Sequence, residues 1–242
     1  MRRRAGAVVL IGLLLGLTAC GDDDDAVESG GEATTTTTVD ETTTTTGPEE
    51  TTTTSVAAEA SLSLFPADDV EDTPEGAAAG FMARYFPGAV VTFGEFAEGD
   101  GEAGEIDVLG GGEGGGAALL RSTLLLRRID GGWHVIAAVN PNVAITAPEA
   151  QAEIPADEPL VVEGTGRGFE ATIVVRVESP GHPYALERIA AGGSGETPEP
   201  FTSEQFVLDP NRVGETLAVI ASGGTGLAED PGEFSAIPVV LA

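Results

Sequence analysis

Leu119-Leu120-Arg121-Ser122-Thr123-Leu124-Leu125-Leu126-Arg127-Arg128-Ile129, then Asp130-Gly131-Gly132, then Trp133-His134-Val135-Ile136-Ala137-Ala138-Val139 run without interruption. Two apolar runs flank a short Asp-Gly signal. Asp-Gly suits a tight turn that needs positive φ, so the stretch predicts an antiparallel β-hairpin. Working back from it, Glu105 to Leu109 reads as a strand with Ile106 and Val108 on one face, and Val90 to Phe96 reads as another. Gly110 to Gly116 is expected to be a flexible loop. Further upstream, Thr73-Pro74-Glu75 is a helix start, with Thr as N-cap, Pro in the first turn and an acid near the positive helix end. The helix continues over Ala77 to Phe86, buries Phe81, Met82 and Tyr85, and stops at Pro87-Gly88. One helix on an antiparallel sheet predicts a small α+β domain over residues 58–147. Trp133 is expected to anchor its core against the Phe81/Tyr85 face rather than to stack on a ligand.

Downstream, Asn140-Pro141-Asn142 interrupts the pattern, and Val143 and Ile145 are expected to continue the sheet. The stretch Pro148 to Pro159 is read as a boundary. After it the helix signals stop. Leu160 to Val162, Ala171 to Val177, Tyr184 to Ile189, Phe201 to Leu208, Thr216 to Ala221 and Phe234 to Leu241 are strand-like, and clusters such as Ser179-Pro180-Gly181 and Asp230-Pro231-Gly232 separate them. Short strands spaced by turns predict an all-β sandwich over residues 148–242. Phe201 is read as a core residue in preference to an exposed apolar anchor.

Pro159-Leu160-Val161-Val162-Glu163-Gly164-Thr165-Gly166, followed by Phe169-Glu170-Ala171-Thr172-Ile173-Val174-Val175-Arg176-Val177, resembles the first two strands of a bacterial immunoglobulin-like domain associated with spore-germination GerM-type proteins. Ile237-Pro238-Val239-Val240-Leu241 is similar to its last strand. The resemblance covers about residues 143–242. The run Trp133 to Pro148 resembles a module that precedes such domains in actinobacterial lipoproteins. The GerM-type partner domain is not evident upstream. The resemblance implies an immunoglobulin-like, non-enzymatic extracellular module, and it brings no catalytic residue with it.

The N-terminus points to the same compartment. Arg2 to Arg4 precede an uncharged, Leu-rich stretch that ends in Leu17-Thr18-Ala19-Cys20. A basic start, a short apolar core and small exit residues make a secretory signal over residues 1–19. The stretch is short and glycine-containing for a membrane span of about 20 residues. Its last four residues resemble the lipobox of bacterial lipoproteins. The resemblance implies that Cys20 receives a diacylglycerol and becomes the acylated N-terminus on the extracytoplasmic face of the cell membrane. Residues 20–57 carry the acidic run Asp22 to Asp25 and the threonine runs Thr34 to Thr38, Thr42 to Thr46 and Thr51 to Thr54. That composition cannot bury enough apolar area to offset its ordering entropy, so a disordered N-terminal tether is expected. A plain spacer is the favoured reading, with an O-glycosylated stalk as the alternative.

The chain of 242 residues has a formal net charge of -29, with 11 basic and 40 acidic residues. All the basic residues are Arg. Such a surface repels phosphate backbones, which argues against nucleic-acid partners. Cys20 is the single cysteine, so no disulfide forms within the folded part and no thiol nucleophile is present there.

No catalytic or metal-binding constellation is legible. His134 and His182 are read as an ordinary strand residue and an ordinary turn residue, without the three or four convergent ligands that zinc requires. Ser194 lacks a nucleophile elbow, because Glu196 stands where the final glycine is needed. The glycine clusters 110–112 and 114–116 lack the following helix and lysine of a phosphate cradle. Glu98, Asp100 and Glu102 are read as a solvated hairpin tip, with Ca²⁺ binding as the alternative. No cofactor is expected. The expected function is non-enzymatic binding or structural support at the cell envelope. The expected partners are the membrane, through lipid on Cys20, and an envelope protein or cell-wall polymer held by a sheet edge or by loops such as Ser179 to Pro183 and Gly192 to Pro200. The alternatives are a wall or small-solute binder that uses the cleft between the two domains, and a wall-active hydrolase.

Overall fold

The computed structural model describes residues 62–66, 70–111 and 116–242. The expected signal over residues 1–19, Cys20 and the expected tether over residues 20–57 lie outside these residues. Helix α1 (Pro74–Tyr85) starts where the sequence places it. The Thr73 hydroxyl accepts a hydrogen bond from the Gly76 amide at 3.0 Å, Pro74 fills the first turn, and Glu75 stands at the positive helix end. Its buried residues are Ala77, Ala78, Phe81, Met82 and Tyr85.

The rest of the described chain is mostly antiparallel β-structure. The strands are β1 (Val91–Phe93), β2 (Ala97–Glu98), β3 (Ala103–Gly110), β4 (Leu119–Ile129), β5 (Gly132–Val139), β6 (Val143–Ala147) and β7 (Glu153–Ile154). They continue with β8 (Glu163–Gly166), β9 (Thr172–Glu178), β10 (Ala185–Ala191), β11 (Glu199–Thr202), β12 (Thr216–Gly223) and β13 (Glu233–Leu241). The larger sheet has the order β1-β3-β4-β5-β13-β12-β9-β10, with β2 beside β3 and β7 parallel to β13. The smaller sheet has the order β11-β8-β6. The β4–β5 hairpin closes through Asp130 and Gly131, both at positive φ (51° and 88°), as the Asp-Gly signal requires.

Two cores lie on opposite faces of the larger sheet. The first is covered by α1 and holds Phe81, Tyr85, Ile106, Leu124, Val135 and Trp133, together with Ala218 and Ile220 of β12 and Phe234 and Ala236 of β13. Phe234 meets the Phe86 ring at 4.4 Å and the Phe81 ring at 6.3 Å. The second core lies between the two sheets. It holds Ile173, Val175 and Val177 of β9, Phe201 of β11 and Val143 of β6, together with Leu217, Val219 and Ala221 of β12 and Val239 and Leu241 of β13. Successive residues of β12 therefore point into different cores, as strand geometry dictates. A strand buried on both faces reads as a continuous apolar run, and Thr216–Gly223 does so. The sheet does not break at 147/148: Ala236 of β13 registers with Ala138 of β5, and both cores draw on the hairpin formed by β12 and β13.

Several strand expectations shift. Val90 to Phe96 is not one strand. β1 ends at Phe93, the Gly94 amide makes a last bond to the Asp107 carbonyl at 2.9 Å, and Phe96 meets Trp133 edge-on at 5.1 Å. Trp133 thus lies in the core with Phe81 and Tyr85, but its ring partner is Phe96. Val143 and Ile145 do not continue the first sheet; β6 crosses into the smaller one. The expected strand Leu160–Val162 moves to Glu163–Gly166, and Phe201–Leu208 shortens to Glu199–Thr202. The reason is a side chain far along the sequence. The Ser203 amide donates to the Val162 carbonyl at 2.8 Å, but the Val162 amide donates to the Ser203 hydroxyl at 2.9 Å in place of a backbone carbonyl, and beyond it Leu160 and Phe206 meet as an isolated bridge.

Helix α1 is also clasped at its C-terminal end. Arg84 donates to the backbone carbonyls of Ser179 (2.6 Å), His182 (3.2 Å) and Pro180 (3.3 Å), and to Glu178 (3.2 Å). Arg176 donates to the Tyr85 carbonyl at 2.8 Å and to Glu178 at 2.7 Å. Substituting Trp133→Ala should cost about 3–5 kcal/mol, the range for large aromatic truncations in cores. The wild-type emission maximum should be blue-shifted. Red-shifted, freely quenched emission together with unchanged melting of the variant would contradict this packing.

Candidate functional site

Asn140-Pro141-Asn142, which interrupts the strand pattern, organises the rim between the two cores. The Asn140 side chain donates to the Arg121 carbonyl at 2.8 Å and accepts the Asn142 amide at 2.7 Å, while its own amide donates to the Ser235 hydroxyl at 3.0 Å. Ser235 in turn donates to the Val143 carbonyl. These bonds turn the chain out of β5 and launch β6. Asn142 reaches on to Glu233, donating from Nδ2 to Oε1 at 2.8 Å.

Two arginine–carboxylate pairs extend this network. Arg167 grips Glu233 with two bonds, Nε to Oε2 at 2.9 Å and Nη2 to Oε1 at 2.7 Å, and its Nη1 donates to the Glu196 carbonyl at 2.7 Å. Arg121 pairs with Asp230 through Nη2, and both side chains are more than nine-tenths buried. The Nε of Arg121 is buried and has no hydrogen-bond partner. Burial alone would raise the Glu233 carboxyl. The bonds from Arg167 and Asn142 and the charges of Arg167 and Arg121 outweigh it, and its pKa lies below the ordinary carboxylate range. The same bond to Glu233 raises Arg167.

Arg121, Arg167 and Glu233 line a cleft of about 290 Å³. One wall is the end of β4, with Leu119 and Arg121. The others are three turns: Arg167 to Phe169, Ser194-Gly195, and Gly223 to Thr225. The turns are knitted by backbone bonds, Phe169 to Gly224 (2.7 Å), Gly168 to Gly193 (2.9 Å) and Gly193 to Gly166 (2.8 Å). They approach so closely that a Cβ on Gly223 would lie 1.9 Å from the Arg167 carbonyl oxygen. Phe169 opens the short turn before β9 and is 57% exposed. The next residues, Glu170 and Ala171, are held at φ 54° and 60°, a left-handed conformation that costs a non-glycine residue about 1–2 kcal/mol. Strained backbone of this kind concentrates at binding and catalytic sites.

The residues singled out in the sequence fall in different places. Ser194 borders the cleft, and the Gly192–Pro200 loop thereby contributes to it. The Ser179–Pro183 loop instead supplies the carbonyls that hold Arg84, and His182 is a turn residue within it. Phe201 is a buried core residue. Glu98, Asp100 and Glu102 lie at the β2–β3 turn, where Asp100 accepts the Glu102 amide at 3.1 Å. His134 is mostly buried on β5 and its Nδ1 lacks a partner. Among the described residues, no group of three His, Cys, Asp or Glu side chains is arranged to hold a metal ion. No helix among them is long and apolar enough to cross a membrane. Sequence reasoning did not select Arg121, Arg167, Phe169 or Glu233. The available signal was the rarity of arginine, since only 11 basic residues stand among 40 acids.

Searches against protein families, against curated proteins and against solved structures find no match for this chain.

Burial lowers the His134 pKa below its ordinary value of 6.5, and the nearby Asp130 charge only partly opposes this. The fold therefore favours the neutral ring. This contribution is constant above pH 6.5 and is lost as the pH falls below it, because the unfolded chain then takes up the proton more readily. Urea melts should show stability falling between pH 7 and pH 5, and a His134→Gln variant should show a shallower fall. Identical pH slopes for the two proteins would contradict the assignment.

Proposed function

We propose that this protein is a lipid-tethered, extracytoplasmic binding module of the cell envelope that catalyses no reaction, and that it holds its ligand in the cleft between β4 and the turns of the C-terminal half. The observation that carries the reading is the cleft itself. Arginine–carboxylate pairs fixed on rigid, closely packed turns meet an exposed aromatic ring held by strained backbone. Binding residues are commonly carried on loops that a rigid scaffold positions. The cleft also takes residues from both sides of 147/148, which favours a solute or wall-polymer site at that junction.

The remaining parts of the proposal rest on sequence. Residues 148–242 form an immunoglobulin-like sandwich in this reading, and the facing of β6, β8 and β11 across the second core from β9, β12 and β13 supports it. Cys20 carries the lipid, with two acyl chains or more, because one chain binds a membrane only reversibly. The tether then keeps the cleft concentrated in a shell outside the membrane.

A photo-crosslinking residue placed at Ser194 in the full chain on intact cells should capture an envelope component. The same residue at the exposed Glu105 of β3 should not. Cys20→Ser should abolish retention in the membrane fraction. Equal capture from both positions, or none from Ser194, would sink the reading of the cleft. Retention of an unmodified Cys20 chain in the membrane would sink the tether.

A further inference from the structure

We infer that the cleft takes a neutral, hydroxyl-rich ligand, a saccharide ring, with one face against Phe169 and its hydroxyls between Arg121 and Glu233. This rests on the reading of the cleft as the binding site and names the chemistry it selects.

Charge narrows the class first. Each arginine in the cleft is already matched by a carboxylate, Arg121 by Asp230 and Arg167 by Glu233. No surplus positive charge remains for an anion, and the chain as a whole carries -29. That field keeps anionic solutes and acidic polymers away. A cation gains little either, because both carboxylates are engaged by guanidinium groups.

The unused hydrogen-bonding capacity is of two kinds. Arg121 is a donor short of a partner: its side chain is more than nine-tenths buried, it lines the cleft, and its Nε–H makes no hydrogen bond. Glu233 is an acceptor with room to spare. A carboxylate has about four lone-pair sites. Oε1 accepts from Asn142 and from Arg167 Nη2, whereas Oε2 accepts only from Arg167 Nε. A ligand that satisfies both must accept at one atom and donate at another. Neighbouring hydroxyl groups do this. A carboxylate or sulfate only accepts, and an ammonium only donates.

The rim supplies the other half of a sugar's surface. Phe169 and Leu119 border the cleft and are 57% and 50% exposed, although each is large and apolar. A pyranose or furanose ring has a C–H face that such a surface desolvates, while its hydroxyls point towards the polar wall. The cleft volume of about 290 Å³ lies at the small end of ligand sites, which begin near 300 Å³. That suits one ring, at a chain end or looped in from the side.

The test uses saturation-transfer NMR and titration calorimetry on the full mature chain in detergent. The probes are the methyl glycosides of glucose, galactose, mannose and arabinose, with sodium glucuronate, an acidic peptide and a lysine peptide as the other classes. Transfer to the ring protons of at least one neutral glycoside is expected. Phe169→Ala removes an exposed ring and should weaken binding about tenfold with unchanged melting. Gly195→Leu adds bulk on the side where a Cβ would have no neighbour within 4 Å, so it should fill the cleft and abolish transfer while the fold persists. Transfer to none of the probes, stronger binding of a charged probe, or neutral binding undiminished in both variants would each overturn the inference. Capture from Ser194 on cells without binding of any neutral glycoside would leave the binding reading standing and remove the saccharide class alone. Failure of both would remove the cleft.

Discussion

The β12–β13 hairpin has no solvent face. Ala218, Ile220, Phe234 and Ala236 belong to the core under α1, whereas Leu217, Val219, Val239 and Leu241 belong to the core under the smaller sheet. A fully buried Val, Leu, Ile or Phe side chain contributes about 1.5–3 kcal/mol relative to exposure. With both faces committed, neither core can be completed without the other. Any account of this protein as two independent modules joined at 147/148 has to explain a hairpin that belongs to both. The clasp of Arg84 and Arg176 around Glu178 adds a second tie, from the end of α1 to β9.

The cleft depends on the same hairpin. Asp230 lies in the turn before β13, and Glu233 and Ser235 lie at its start, so the carboxylates that meet Arg121 and Arg167 and the hydroxyl that takes the Asn140 amide sit at the head of a strand whose later residues are core. Such pairs are costly to break, because removing one partner leaves a buried charge uncompensated. The network therefore fixes the geometry of the turns that carry Phe169 and Gly195. The exposed Phe169 ring borders the cleft that this network lines, and the left-handed residues Glu170 and Ala171 follow it directly.

How much of this was legible in the sequence varied with the range of the interaction. Thr73-Pro74-Glu75 and Asp130-Gly131 act over three or four residues, and the helix start and the hairpin followed from them. Burial of Trp133 and Phe201 followed from their positions in apolar runs. The strand limits near Val162 and Ser203 did not, because a hydroxyl 41 residues away takes the amide that would otherwise pair in the ladder. The crossing of β6 into the second sheet depends on Ser235, 95 residues from the amide it receives. The cleft was hidden for the same reason. Arg121, Arg167 and Glu233 are far apart in the chain and resemble surface charges one at a time. The abundance of acids masked the two that pair with arginine in the cleft network, and the rarity of arginine was the clue available.

The claim on which the rest depends is that the halves before and after residue 147 form one cooperative unit through the shared hairpin. Scanning calorimetry of the full chain tests this most directly. The account predicts a single unfolding transition with equal calorimetric and van't Hoff enthalpies. It also predicts that Ile220→Ala in one core and Val219→Ala in the other each shift that whole transition. Two separable transitions, each moved by only one of the substitutions, would contradict it.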